Sequence, residues 1–249
     1  MMFRWEPDMV RFMQDASEYG DYHALLAARI AAHLPAGARV CDAGCGLGYL
    51  SQALSPLCAQ VTALDISENA LAVARTLAGR APNMAVVRAD METFVPERPF
   101  DAIVFCFFGR TAEILRFARR VCRGRVVVVK KNWANHRFTL AQKPLQHSTL
   151  PEMEAFLAGL GVPFESETLA LEFGQPLRSE ADAVRFFRLY SRDEHPELIT
   201  FADIAPRLVR RDDSVFPLYL PEEKRLGILS FDTGDIPAEI PIPQGGKDT

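Results

Sequence analysis

The sequence predicts an α/β chain built on a doubly wound sheet, and three observations carry that expectation. The stretch Val40-Cys41-Asp42-Ala43-Gly44-Cys45-Gly46-Leu47-Gly48-Tyr49-Leu50 runs from a short apolar segment through three glycines at alternate positions. It then resumes with Leu47, Leu50 and Leu54 at helical spacing, which reads as strand, tight loop, helix. Apolar runs end on acids at Asp42, Asp65 and Asp90, with helical patterns between them. The run Phe100 to Phe107 is close to continuously apolar, as a strand buried on both faces must be.

Taken in order, helices are expected around Pro7 to Ala16 and from Tyr22 to Leu34, the second with Leu26, Ile30 and Leu34 on one face. Pro35 and Gly37 break that helix before the first strand, Arg39 to Asp42. Gln60 to Asp65 reads as the second strand. Ser67 caps a helix bearing Leu71, Ala74 and Leu77, and Met84 to Asp90 reads as the third strand. The fourth strand, an arginine-bearing helix and a fifth strand, Arg125 to Lys130, follow. Thr149 and Glu152 stand at capping-box spacing before a helix with Met153, Phe156, Leu157 and Leu160 on one face, ended by Gly161. Glu165 to Phe173 alternates like a half-exposed edge strand, and Leu226 to Phe231 reads as one more strand. Between these two, Gly174 to Lys224 is longer than a hairpin needs and is expected as an insertion, with a helix opened by Ser179 and Asp182 and an aromatic stripe of Phe186, Phe187 and Tyr190. The proline- and glycine-rich tail after Asp232 is expected to be extended or mobile.

Glycine serves the loop where the backbone takes positive φ or where a ligand comes too close for a Cβ. The dinucleotide pattern G-x-G-x-x-G fails here because Tyr49 stands where its third glycine belongs. Asp42, Gly44, Gly46 and Gly48 instead meet the acid-x-Gly-x-Gly-x-Gly pattern of motif I in the class I S-adenosylmethionine-dependent methyltransferases, which the chain resembles from about Val40 to Lys131. The resemblance implies a seven-stranded sheet in the order 3-2-1-4-5-7-6 with strand 7 antiparallel, carrying N-terminal helices and a helical insertion before the last strand. It implies that S-adenosyl-L-methionine, with S-adenosyl-L-homocysteine as product, sits on Asp42, Gly44, Cys45, Gly46 and Gly48. Asp65 and Ile66 would lie at the ribose, Asp90 and Met91 at the adenine, and Cys106 beside them. Asp65 follows Asp42 at the spacing that puts a carboxylate at the end of the neighbouring strand, where ribose hydroxyls can donate to it.

The chain of 249 residues is expected to form one domain over 1–249, with cap helices in 1–36, a cofactor core in 37–131, and a C-terminal part in 132–249 whose insertion spans about 174–224. A net charge of −4 does not supply the broad positive field of a protein that tracks a phosphate backbone, so nucleic acid is not the expected partner. The six arginines from Arg110 to Arg125 read as a solvated helix face. Five cysteines, none in a C-x-x-C pair, read as reduced thiols, and no apolar run reaches membrane-span length, so a soluble cytoplasmic protein is expected.

The expected reaction is in-line methyl transfer to a small-molecule acceptor through O, S, C or N. An RNA or protein acceptor and a noncatalytic binding module are the alternatives, and no metal is implied. The segment Phe105-Cys106-Phe107-Phe108-Gly109 lacks the Asn/Asp-Pro-Pro-Tyr/Phe motif of enzymes that methylate exocyclic base amines or glutamine amides. His136, after the fifth strand, and His23 are the candidate bases. Trp5, Tyr19, Phe187 and Tyr190 are the candidate acceptor contacts, because both segments carrying them lie outside the minimal sheet.

Overall fold

The computed structural model describes residues 5–141, 143–145 and 149–241. The chain opens with α1 (Pro7–Tyr19) and α2 (Tyr22–Ala31), then alternates through β1 (Arg39–Ala43), α3 (Tyr49–Leu54), β2 (Gln60–Asp65), α4 (Glu68–Ala78), β3 (Met84–Arg88) and β4 (Phe100–Cys106). It continues with α5 (Thr111–Val121), β5 (Cys122–Lys131), α6 (Leu150–Gly159) and β6 (Glu165–Glu172). An inserted segment contributes β7 (Gln175–Leu177), α7 (Glu180–Tyr190), α8 (Phe201–Ile204), β8 (Val209–Arg210) and β9 (Leu218–Leu220) before the last strand, β10 (Glu223–Asp232).

Seven strands form one sheet in the order β3-β2-β1-β4-β5-β10-β6. The first five run parallel, and β10 is antiparallel to both β5 and β6, so the topology matches the expected one strand for strand. Register explains why the central strands are apolar throughout. Ile103 and Phe105 pair with Val126 and Val128 on one face, while Val104 pairs with Val127 on the other. The first face is covered by Ile114, Phe117 and Ala118 of α5 and Met153 and Leu157 of α6. Leu26 and Ile30 of α2 and Leu50 and Leu54 of α3 cover the second. Edge strand β6 keeps the alternation read from its sequence, with every second residue exposed.

The insertion forms its own three-stranded antiparallel sheet, β7-β9-β8, and a separate apolar cluster of Leu177, Phe186, Phe187, Ile204 and Leu218 that Phe12 of α1 completes. Ion pairs repeat that link. Arg11 reaches Asp182 at 2.6 Å, Arg178 reaches Asp15 at 2.5 Å, and Arg185 reaches Asp8 at 2.5 Å. Among the described residues no helix is long and apolar enough to cross a membrane.

Two expectations need correcting. The third strand stops at Arg88, and Asp90 lies two residues beyond it in a turn where its Oδ1 accepts from the Glu92 N–H at 2.8 Å. The tail is held rather than loose as far as it is described: Arg116 donates to the Ile240 carbonyl at 3.0 Å and Arg119 to the Ala238 carbonyl at 2.8 Å. The rest of that tail, 242–249, lies outside the described residues.

Gly48 has φ +83°, and a Cβ there would fall 2.8 Å from the Cβ of Ala74 on α4. Gly48→Ala is therefore expected to destabilise the fold by about 2 to 4 kcal/mol, combining left-handed strain with overpacking. Gly20→Ala, with nothing within 4 Å of its Cβ, serves as the control. Urea denaturation of both variants checks the difference, and equal midpoints would contradict the account.

Candidate active site

At the carboxyl ends of β1 and β4, where the strand order reverses, the glycine loop lies open to a cavity. Gly44, Gly46 and Gly48 all have positive φ, at 72°, 53° and 83°. The N–H groups of Gly44 and Cys45 both donate to the Leu64 carbonyl, at 2.8 and 3.0 Å, which ties the loop to β2. Asp65 completes the tie: Oδ2 accepts from Gly46 N at 2.9 Å and Oδ1 from Ser67 N at 2.8 Å. A carboxylate oxygen has two acceptor directions, so each keeps capacity for a further donor.

The cavity over this loop measures about 240 Å³ and is lined by Trp5, Tyr22, His23, Asp42, the loop itself, Cys106, Phe107, Phe173 and Lys224. A second cavity of about 280 Å³ adjoins it, lined by Lys131, Trp133, His136, Arg137, Phe138, Gln175, Phe186, Tyr190 and Glu222. Met13, Phe107, Phe173 and Lys224 line both and form the wall between them. Lys224 is encircled by rings, with Nζ 3.8 Å from the centroid of Phe173, 4.9 Å from Tyr22 and 5.6 Å from Phe107. Phe107 itself has φ +54°, an uncommon conformation for a non-glycine residue, held by its N–H donating to the Val129 carbonyl at 3.0 Å. This turn carries Phe108 across the glycine loop, so that a Cβ on Gly44 would fall 2.1 Å from the Phe108 ring.

The electrostatics follow burial. Asp42 is 1% exposed and accepts from Ser51 Oγ at 2.5 Å. Burial pushes its carboxyl up from 3.8 to about 6, against the lowering effect of the Ser51 hydrogen bond. Burial, aided by Lys224, holds His23 down to about 3, so its imidazole is neutral at physiological pH. Burial also pulls Lys224 down to about 7, with Arg137 acting in the same direction. The Cys106 thiol is pushed up to about 12 by burial, and burial likewise raises Cys45. His136 is lowered, by burial first and then by Arg192, Lys131 and Lys143.

The structure thus gathers Trp5, His23, Asp42, Gly44, Cys45, Gly46, Gly48 and Cys106 on the first cavity and His136 and Tyr190 on the second. Asp65 supports the loop from behind, while Ile66, Asp90 and Met91 lie outside both cavities. Two of the four aromatic acceptor contacts expected from the sequence are placed elsewhere. Tyr19 stacks on Tyr219 at 5.3 Å, and Phe187 is fully buried inside the insertion's own cluster. Sequence reading missed Phe107, Trp133, Arg137, Phe173, Glu222 and Lys224. The one local signal was the alternation that leads Phe173 out of β6.

The sheet order and the glycine loop are those of the Rossmann-like methyltransferase fold. Residues 40–125 match the family model described as "Methyltransferase domain". The curated relatives include a dTDP-3-amino-3,6-dideoxy-alpha-D-glucopyranose N,N-dimethyltransferase of Streptomyces fradiae, 33% identical over 132 residues, covering 48% of this chain and 50% of that protein. A ubiquinone biosynthesis O-methyltransferase of Xanthomonas axonopodis is 56% identical over 41 residues, covering 16% of this chain and 17% of that one. The chain therefore spans about half or less of the curated relatives it matches. Among solved structures, the YcgJ protein of Bacillus subtilis aligns with TM-score 0.53 at 17% identity, covering 85% of this chain and 98% of that one. A functionally unknown protein of Deinococcus radiodurans gives 0.52 at 18% identity, covering 90% and 98%. Both show likeness of fold.

The residues present fit the donor. The space above Gly44 and Gly46 is taken by the rings of Phe108 and Trp5, which a Cβ at either position would strike, so the fit rests on the polar groups beside the loop. Ser17 Oγ, Tyr22 Oη and His23 Nδ1, on residues lining the same cavity, are buried without a hydrogen-bond partner, so a polar ligand tail has groups to engage there. Among the described residues no group of three His, Cys, Asp or Glu is arranged to hold a metal.

The raised Asp42 carboxyl makes a prediction about pH. A group whose pKa rises on folding contributes stability that is fully present below its unfolded value and is lost as pH rises through the folded value. For Asp42 that window runs from 3.8 to about 6. Wild type should lose about 2 to 3 kcal/mol more than Asp42→Asn between pH 4 and pH 7.5. Parallel slopes in urea titrations of the two proteins would refute this.

Proposed function

We propose that the protein transfers a methyl group from S-adenosyl-L-methionine to a small-molecule acceptor, with the cofactor in the first cavity and the acceptor in the second. The observation that carries this is the shared wall: a cavity over the glycine loop opens on a second, roofed by the insertion and α1, that is only about 280 Å³. A roofed chamber of that size suits a metabolite better than a nucleic acid or a folded protein. The donor supplies an already activated methyl group. The chain has to hold the acceptor in line with it and keep water out, which can contribute on the order of 7 to 11 kcal/mol.

In this reading Ser17, Tyr22 and His23 meet the polar tail inside the first cavity, and the nucleoside extends beyond it, with the ribose hydroxyls on the remaining acceptor directions of Asp65 and the adenine toward Asp90 and Met91. His136 is the better placed of the two histidines to accept a proton, since it lines the acceptor chamber. His23, held down to about 3, is too weak a base at neutral pH and serves as a contact. Of the expected cap helices, α1 joins the insertion of 174–224 through Phe12 and its ion pairs to form one cap, whereas α2 packs on the sheet as part of the core.

Calorimetry with S-adenosylhomocysteine, S-adenosylmethionine and NAD tests the cofactor assignment. The two sulfur compounds should bind, and Asp65→Ala should weaken them about 10- to 150-fold, the equivalent of a charged hydrogen bond of about 1.5 to 3 kcal/mol. Binding of NAD alone would overturn it. Release of S-adenosylhomocysteine in the presence of pooled metabolites, against oligonucleotide and protein pools, tests the acceptor class, and turnover confined to either macromolecule pool would sink the small-molecule reading.

The two stripe residues should separate. Phe187→Ala is expected to lower stability by about 3 to 5 kcal/mol as a core truncation. Tyr190→Ala, which faces the chamber, should reduce turnover while leaving S-adenosylhomocysteine affinity near wild type. If Tyr190→Ala instead loses stability and cofactor affinity together, Tyr190 is packing alone.

A further inference from the structure

The charges of the second cavity do not balance. Lys131, Arg137 and Lys224 line it, and among the described lining residues Glu222 is the single carboxylate. Glu222 is already committed: Oε1 accepts from Arg137 Nε at 2.6 Å and pairs with Nη2. Arg137 Nη1 is buried with no hydrogen-bond partner. The ammonium groups of Lys131 and Lys224 have no hydrogen bond or ion pair among the described residues. Burial is the first cause of a lowered proton affinity in all three, taking Arg137 to about 10 and Lys224 to about 7. Lys131 and Lys224, removed from water without a carboxylate of their own, are in an unfavourable state that an incoming anion relieves, and Arg137 keeps a buried donor free beside its pair with Glu222.

The surplus calls for an anion. Lys131, Arg137 and Lys224 stand against Glu222 alone, and Glu222 is already held by Arg137. The planar Arg137 fork suits a carboxylate. The rest of the wall selects the body. Trp133, Phe138, Phe186 and Tyr190 present flat apolar surfaces, and the Arg137 guanidinium lies 4.9 Å from the Trp133 ring centroid, which orients a planar donor fork.

We propose that the second cavity binds a flat organic acid, its carboxylate paired with Arg137 and Lys131, as the methyl acceptor. This rests on the reading that the first cavity holds the methyl donor. Lys131 and Arg137 line the second cavity alone, whereas Lys224 stands in the shared wall. A carboxylate held by the first two therefore leaves the other end of the ring free to meet that wall.

The test is calorimetry on the full chain, with and without S-adenosylhomocysteine, using 4-hydroxybenzoate, its neutral isostere 4-hydroxybenzamide, acetate and inorganic phosphate as probes. The acid should bind at least about tenfold more tightly than the amide, as loss of a charged hydrogen bond implies. Lys131→Met should cut that ratio about fivefold or more while leaving amide binding unchanged, because the ammonium it removes holds no structural partner. Arg137→Lys should do the same by losing the fork, and Lys131→Met decides the matter should the Arg137 variant fail to fold. Equal affinity for acid and amide, no binding of either, or a ratio indifferent to Lys131 overturns the proposal. Acetate or phosphate matching 4-hydroxybenzoate overturns the flat-body requirement and with it the proposal. Failure of S-adenosylhomocysteine to bind strikes the cofactor reading instead, and the acid-to-amide ratio on the cofactor-free chain still decides this one.

Discussion

The carboxylate of Asp65 holds two backbone N–H groups, those of Gly46 and Ser67, and much of the site depends on that arrangement. It fixes the far end of the glycine loop to the end of β2, while the Leu64 carbonyl fixes the near end. With both ends held, three residues of the loop must take positive φ to turn into α3, which explains the spacing of its glycines. The same acid is where the ribose of a nucleoside is expected in folds of this kind. In the proposed reading, a residue that shapes the loop would also meet the ribose and so couple cofactor affinity to the loop's own order.

Legibility in the sequence followed how local each signal is. The parallel strands were readable because burial on both faces makes each an apolar run, and the loop was readable because glycine alone tolerates its backbone. The order of strands came with the resemblance. The third strand was read two residues too long because Ala89 still reaches the Asp65 carbonyl of β2 at 3.1 Å, while Asp90 turns off to accept from the Glu92 N–H. The second cavity was scarcely legible. Arg137, Phe173 and Lys224 come from three separate stretches, and only the antiparallel pairing of β10 with β5 and β6 brings the latter two beside the loop after β5.

The arginines of α5 read in the sequence as a solvated helix face and not as a binding patch, and the structure adds what they do there: Arg116, Arg119 and Arg120 spend donors on the carbonyls of Ile240, Pro237, Ala238 and Met91. Guanidinium groups bridging backbone carbonyls strap irregular chain to a helix, and they leave little free positive surface there. The ion pairs of α1 carry a second lesson. Arg11 and Asp182 are separated by most of the chain, and such exposed pairs contribute about 0 to 1 kcal/mol each. They align the cap, while Phe12 in the insertion's core supplies the adhesion.

Lys224 brings these strands of evidence to one point. A positively charged donor in the first cavity would face an ammonium across the shared wall, and like charges at close range in an apolar setting repel strongly. The surroundings of Lys224 moderate that conflict: burial and the neighbouring Arg137 lower its hold on a proton, and three aromatic rings surround Nζ in place of a carboxylate. An acid entering the second cavity would work in the opposite direction and favour the charged lysine. In the proposed reading Lys224 borders both ligands, and an anion in the second cavity would offset the positive charges gathered around it.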